Sequence, residues 1–174
     1  MKRVLFILGQ LNDLDIEWMI DNGVKEIVRS GEKLIVQGES VESIYIILEG
    51  EFAIIDEAND DLEIAQIGAG EIVGEMSFID ARPPAASVLS LSRSTVFAIS
   101  RDRIKRRLEA DPEFASRFYY SIALFLSDRL RKTIGRMGYG TPEDEIDEID
   151  THVLNHVAQA GARFGLILNK FSEV

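Results

Sequence analysis

The chain has 174 residues, 46% of them hydrophobic and 28% charged, and no cysteine. That describes one soluble globular domain, long enough to bury a core, without disulfide, thiolate or zinc–sulfur chemistry. The formal net charge of −11 argues against nucleic-acid binding through bulk electrostatics, and no apolar run approaches a membrane span.

The N-terminal MKRVLFIL imitates the start of a signal peptide. Its apolar run, Val4 to Leu8, is short, and acids follow at Asp13, Asp15 and Glu17. The expected compartment is the cytoplasm. Asn12 fits a helix cap, and the acids after it suit the positive end of the helix dipole. Leu14, Ile16, Trp18, Met19 and Ile20 then predict a short helix ending near Asn22-Gly23, so residues 1–23 form an N-terminal helical segment.

From Val24 to Ser100 the pattern changes to short β-rich runs: KEIVR, KLIV, SIYIIL, EFAIID, LEIAQI, EIV, ASVLSL and TVFAIS. Glycine punctuates them, with Gly50 placed for a tight hairpin turn. Short strands at this spacing predict an all-β sandwich or barrel over residues 24–100.

After Ser100 the period becomes helical. Ser100 fits the cap of a helix from Arg101 to Ala110. Asp111-Pro112 starts a long helix to about Arg136, with proline in its first turn. Phe118, Ile122, Leu126, Leu130 and Ile134 form an apolar stripe along it. Part of this stripe is expected on the barrel and part against a second copy of the chain. Gly138-Tyr139-Gly140 ends the 101–138 helical unit. An acidic linker, 139–150, contains EDEIDEID, and a final helix spans about 151–174, with Val153, Val157, Ala160, Phe164, Ile167, Leu168 and Phe171 as its apolar face. Gly161 and Gly165 there suggest close helix packing.

Residues 101–136 hold ten of the nineteen Lys and Arg, whereas 143–150 hold six acids. A solvated basic helix face beside an acidic linker accounts for this. His152 and His156 have metal-ligand spacing, with Glu148 one turn earlier. HVLNH lacks the acid that follows the first histidine in HExxH, so these read as ordinary helix histidines, and no metal or cofactor is expected.

Gly31-Glu32, Gly38-Glu39, the segment Ile44 to Gly50, Gly68-Ala69-Gly70 and Gly74-Glu75 occur in an order and spacing that resembles the cyclic nucleotide-binding domain family. The resemblance covers roughly residues 5–136. It implies a mainly β fold with flanking helices: an eight-stranded double-sheet jelly-roll barrel, a short N-terminal helix, and a long C-terminal helix followed here by the final one. It also implies a phosphate-binding cassette at GEIVGEMSFIDARPPAAS, within residues 70–88. In the family a short helix binds the cyclic phosphate of a nucleotide such as cAMP or cGMP at its N-terminal N–H groups. On this chain the donors are those of Glu75, Met76 and Ser77. Gly74 lets the backbone approach, Glu75 matches the acid that accepts the ribose 2′-hydroxyl, and Ala85 and Ala86 add backbone contacts. One position departs. Where many members carry a phosphate-pairing arginine, directly before the Ala-Ala pair, this chain has Pro84, which offers neither charge nor N–H.

Each site residue has a second reading. Glu75 is either the ribose acceptor or a structural acid at a helix end, paired with Arg82. Ser77 donates to a phosphate or caps. Arg82, two residues before Pro84, is a relocated clamp or an exposed loop arginine. Tyr119, Tyr120, Phe125 and Arg129 of the long helix either cover a base or pack.

The sequence bears on four functions. A non-catalytic regulatory module senses a cyclic nucleotide or related phosphate ligand and signals through its C-terminal helices. A degenerate pocket instead leaves a protein-interaction and dimerisation module whose final helix docks on an unknown protein partner; Pro84 favours this. A DNA-binding regulator, as in CRP-like relatives with a helix-turn-helix domain, lacks a visible recognition helix. A cupin-like enzyme needs histidines on barrel strands, and both histidines lie beyond the barrel. The expectation is a regulatory protein that is not an enzyme, homodimeric through its long helix, binding neither DNA nor membrane.

Overall fold

The computed structural model describes residues 8–136 and 151–172. Helix α1 spans Asp13–Asn22 and begins with a reciprocal cap: the Asp15 amide donates to Asn12 Oδ1, and the Asn12 amide to Asp15 Oδ2, each at 2.9 Å. Two orphan donors are thereby satisfied at the helix start.

Eight strands follow: β1 Gly23–Val28, β2 Lys33–Ile35, β3 Ser43–Glu49, β4 Glu51–Asp56, β5 Leu62–Gly68, β6 Ile72–Val73, β7 Ser87–Ser90 and β8 Ser94–Ser100. The expected eight runs are all present. They form two antiparallel four-stranded sheets, in the orders β1-β8-β3-β6 and β2-β7-β4-β5. Gly50 turns the β3–β4 corner at φ +98, where a Cβ would strike Ser94.

The nearly unbroken apolar run of β3 has a physical cause. Successive strand residues face opposite ways, and both faces of β3 are covered. Ile47 and Tyr45 pack between the sheets with Phe52, Ile54, Val73 and Val96. Ile44, Ile46 and Leu48 face the helices, with Phe97 and Ile99 of β8. A strand buried on both sides loses the usual alternation.

The helices are α2 Glu75–Asp80, α3 Arg101–Ala110, α4 Pro112–Arg136 and α5 Thr151–Ser172. Ser100 stands at the cap of α3 but makes no side-chain cap bond. The expected role there is corrected: the Arg101 amide donates instead to the Glu42 carbonyl at 2.9 Å. Asp111 does cap α4, accepting from the Phe114 amide at 2.9 Å, and that bond is the main cause holding its carboxyl below the usual range.

The stripe of α4 changes in burial along its length. Phe118, Ile122 and Phe125 are buried, while Leu130 and Ile134 are exposed. Two carboxylates of α1 fix the helical layer. Asp15 takes a bidentate pair from Arg117 of α4, at 2.7 and 3.1 Å. Asp13 accepts from Arg163 of α5 at 2.8 and 3.0 Å, and the same guanidinium donates to the Leu8 carbonyl at 2.9 Å.

Helix α5 packs within the chain: its Ala160, Phe164 and Ile167 are buried in the core cluster that also holds residues of α1 and α4. Gly161 and Gly165 meet nothing within 4 Å of an added Cβ, so neither serves close packing. Glu148 and the acidic linker lie outside the described residues, as do the side chains of His152 and His156. Among the described residues no helix is long and apolar enough to cross a membrane.

Candidate functional site

The site begins where β6 ends. Ile72 and Val73 are buried, and the chain then turns through Gly74 at φ +89. A Cβ at Gly74 would lie 2.6 Å from the Ser43 carbonyl oxygen, so position 74 needs glycine for both its dihedral and its neighbour. Helix α2 starts at once. Its first intrahelical donor is Phe78, bonded to the Gly74 carbonyl at 3.1 Å, which leaves the amides of Glu75, Met76 and Ser77 without helical acceptors. Phe78 packs edge-on against Phe118 of α4, ring centroids 5.8 Å apart, anchoring the short helix to the long one.

A cavity of about 310 Å³ opens in front of α2. That is at the lower end of the ~300–1,000 Å³ usual for small-molecule sites. All seven expected site residues, Gly74, Glu75, Met76, Ser77, Arg82, Ala85 and Ala86, line it, together with Ile35, Ile54, Val73, Val88 and Pro84. One long-helix residue joins them, Arg129.

Glu75 is only 1% exposed, and its Oε1 accepts from Arg129 Nη1 at 2.6 Å. The expected pairing with Arg82 is therefore corrected: the structural partner comes from α4, fifty-four positions along the chain. Burial pushes the Glu75 carboxyl above its usual range. Arg129 and the amides of Glu75 and Met76 pull it back in part. Removing a charge from water outweighs the attraction of its partner here.

Arg82 is 83% exposed and its nearest acid is Asp80, at 3.9 Å. It sits at the rim, after Ala81 reverses the chain at φ +58. Pro84 lines the cavity, and its carbonyl accepts from the Gly38 amide at 3.0 Å. The proline thus pins two loops together and presents no cation. Of the other long-helix candidates, Phe125 is buried in the core, while Tyr119 and Tyr120 are about half exposed and lie outside the cavity lining.

Ser87 was not singled out from the sequence. It is fully buried; its oxygen accepts from the Gln37 amide at 2.7 Å and its hydroxyl donates to Glu57. Its only signal was a serine inside an otherwise apolar strand run. The Glu75–Arg129 contact had no local signal, because nothing in either segment names the other. Among the described residues no cluster of three His, Cys, Asp or Glu could hold a metal.

The structure is similar to a cyclic nucleotide-binding domain from Methylobacillus flagellatus, with TM-score 0.69 and 25% identity over 77% of this chain and 80% of that one. The N-terminal domain of a transcriptional regulator from Streptomyces coelicolor matches with TM-score 0.60 and 24% identity, over 77% and 94% of the two chains. In sequence, the cAMP-dependent protein kinase type II regulatory subunit of Drosophila melanogaster is 35% identical over 71 residues, 40% of this chain and 19% of the relative. The chain thus matches about a fifth of that relative's length. The family model for the cyclic nucleotide-binding domain matches residues 25–111, from within β1 to just past α3, and the chain belongs to the cyclic nucleotide-binding domain family.

Proposed function

We propose that this chain is a non-catalytic regulatory module of the cytoplasm. Its α2 cavity takes a cyclic nucleotide, cAMP or cGMP, or a related phosphate compound, and α4 carries the signal to the C-terminal helices. The observation that carries this reading is the Glu75–Arg129 pair. A residue of the long helix closes the cavity, so occupancy and helix position are linked. A ligand that interacts differently with the closed and opened arrangements shifts the balance between them. Within this reading the amides of Met76 and Ser77 meet the phosphate, Gly74 admits it, Glu75 takes the ribose hydroxyl, and Ala85 and Ala86 supply the remaining backbone contact. The regulatory function of the Drosophila relative supports the reading. Exposed Leu130 and Ile134 are the surface assigned to a second copy of the chain.

A second reading has its own observation. Pro84 removes the arginine of the family pattern, and Glu75 is already satisfied from within. On that view the pocket binds no cyclic nucleotide and the chain acts as an interaction module. Calorimetric titration of ligand-stripped protein with cAMP and cGMP separates the two. Micromolar binding that Glu75→Ala abolishes supports the sensor. No binding by the native chain, with binding by Pro84→Arg, supports the degenerate pocket. Loss of a charge-assisted contact costs on the order of 1.5–3 kcal/mol, so Pro84→Arg is expected to tighten cAMP binding by roughly tenfold or more.

A further inference from the structure

The cavity contains a cation that the family's cassette pattern does not supply. Arg129 and Pro84 line the same space of about 310 Å³, one from α4 and the other from the loop where the pattern expects arginine. Among the described residues, Arg82 is the one other cation in the lining. Its side chain is 83% exposed, against 32% for Arg129. A cation at a solvated rim contributes little to anion binding, whereas one inside an apolar-walled cavity contributes much more.

We propose that Arg129 takes over phosphate recognition in this chain, passing its guanidinium from Glu75 to the phosphate of the ligand while Glu75 turns to a ligand hydroxyl. This rests on the reading of the cavity as a phosphate-ligand site. The physical reason for a coupled exchange is the burial of Glu75. A carboxylate this buried cannot give up its cation without another hydrogen-bond donor in its place. The ligand must therefore bring both an anion for Arg129 and a hydroxyl for Glu75 on one small frame. That selects a sugar phosphate ester such as a cyclic nucleotide. Inorganic phosphate strands Glu75, and a bare nucleoside leaves the ion pair unbroken. Specificity then comes from requiring both groups together, a demand on the ligand that no single residue of the cassette makes.

The test is calorimetry on the full chain with cAMP, adenosine and inorganic phosphate as probes. The wild type is expected to bind cAMP and neither of the other two at the same concentrations. Arg129→Gln should weaken cAMP binding roughly tenfold or more, while Arg82→Ala changes it by less than about twofold. The decisive arm is rescue: Pro84→Arg in the Arg129→Gln background should restore cAMP affinity, because it returns a cation to the lining of the same cavity. Pro84→Arg should gain more affinity in that background than in the wild type, because only there does the phosphate lack a cation; equal gains in the two backgrounds would overturn the assignment. If Arg129→Gln fails to fold, Arg129→Lys keeps a cation beside Glu75 but loses the planar two-donor fork, and it should show a smaller loss with the same rescue. Wild-type binding that survives Arg129→Gln, rescue that never appears, or binding by Pro84→Arg alone overturns the assignment of Arg129 and leaves the cavity's ligand class standing. Absence of cAMP binding in both the wild type and Pro84→Arg overturns both.

Discussion

At the scale of single residues, Glu75 concentrates the chemistry. Its carboxylate is buried, it faces the cavity, and its pKa is raised chiefly by burial, with Arg129 opposing. An acid whose folded pKa lies above its unfolded value binds its proton more tightly in the native state. Its stabilising contribution is present in full below the unfolded pKa of about 4.3 and is lost as pH rises through the folded pKa. Glu75→Gln, which cannot ionise, should therefore be more stable than the wild type at pH 8 in urea unfolding. The gap should close by about pH 4, where the wild-type carboxyl is itself neutral. A gap that widens on acidification would show that Arg129 outweighs burial. Much of this cavity's lining was legible in the sequence: Gly74, Glu75, Pro84 and the Ala85-Ala86 pair all stand in it. The partner of Glu75 was not legible. Burial and an ion pair between segments so far apart are consequences of packing, and local spacing carries no record of them.

At the scale of elements, α1 acts as the clip of the helical layer. Neighbouring acids on one short helix hold two others: Asp15 takes Arg117 of α4, and Asp13 takes Arg163 of α5. The sequence showed these acids as dipole partners at a helix start, and Asp15 does serve the Asn12 cap. Their longer-range role depends on where the other helices dock. Arg117→Ala leaves the fully buried Asp15 without its cation, and breaking such a pair costs about 3 kcal/mol or more. Asp13→Asn should cost less, because Asp13 is 84% exposed at its side chain and Arg163 keeps its bond to the Leu8 carbonyl. Urea denaturation of both variants checks the order; equal losses would contradict it. The strands were easier to read. Eight apolar runs with glycine between them became eight strands, since turn chemistry and two-faced burial are both written locally. Ser100 shows the opposite case: a serine in the cap position whose neighbouring amide finds a backbone carbonyl instead.

At the scale of the whole molecule, the barrel, the cassette and α4 form one mechanical path. Phe78 against Phe118 and Glu75 against Arg129 join α2 to α4 at two points, and Phe118, Ile122 and Phe125 seat α4 on the sheet. Beyond Arg129 the helix presents exposed Leu130 and Ile134; on the proposed function, an opening of the ion pair would reach the surface proposed for a second copy. Light scattering should give twice the 19.5 kDa of one chain, and Leu130→Asp should reduce it to one; a concentration-independent monomer would remove the dimer from the account. The most direct measurement of the central claim, that the cavity reports its occupancy through α4, is hydrogen–deuterium exchange of the full chain with and without saturating cAMP. The account predicts slowed exchange across residues 70–88 together with altered exchange across 126–136. Slowed exchange at the cassette with α4 unchanged, or no change at either, would contradict it.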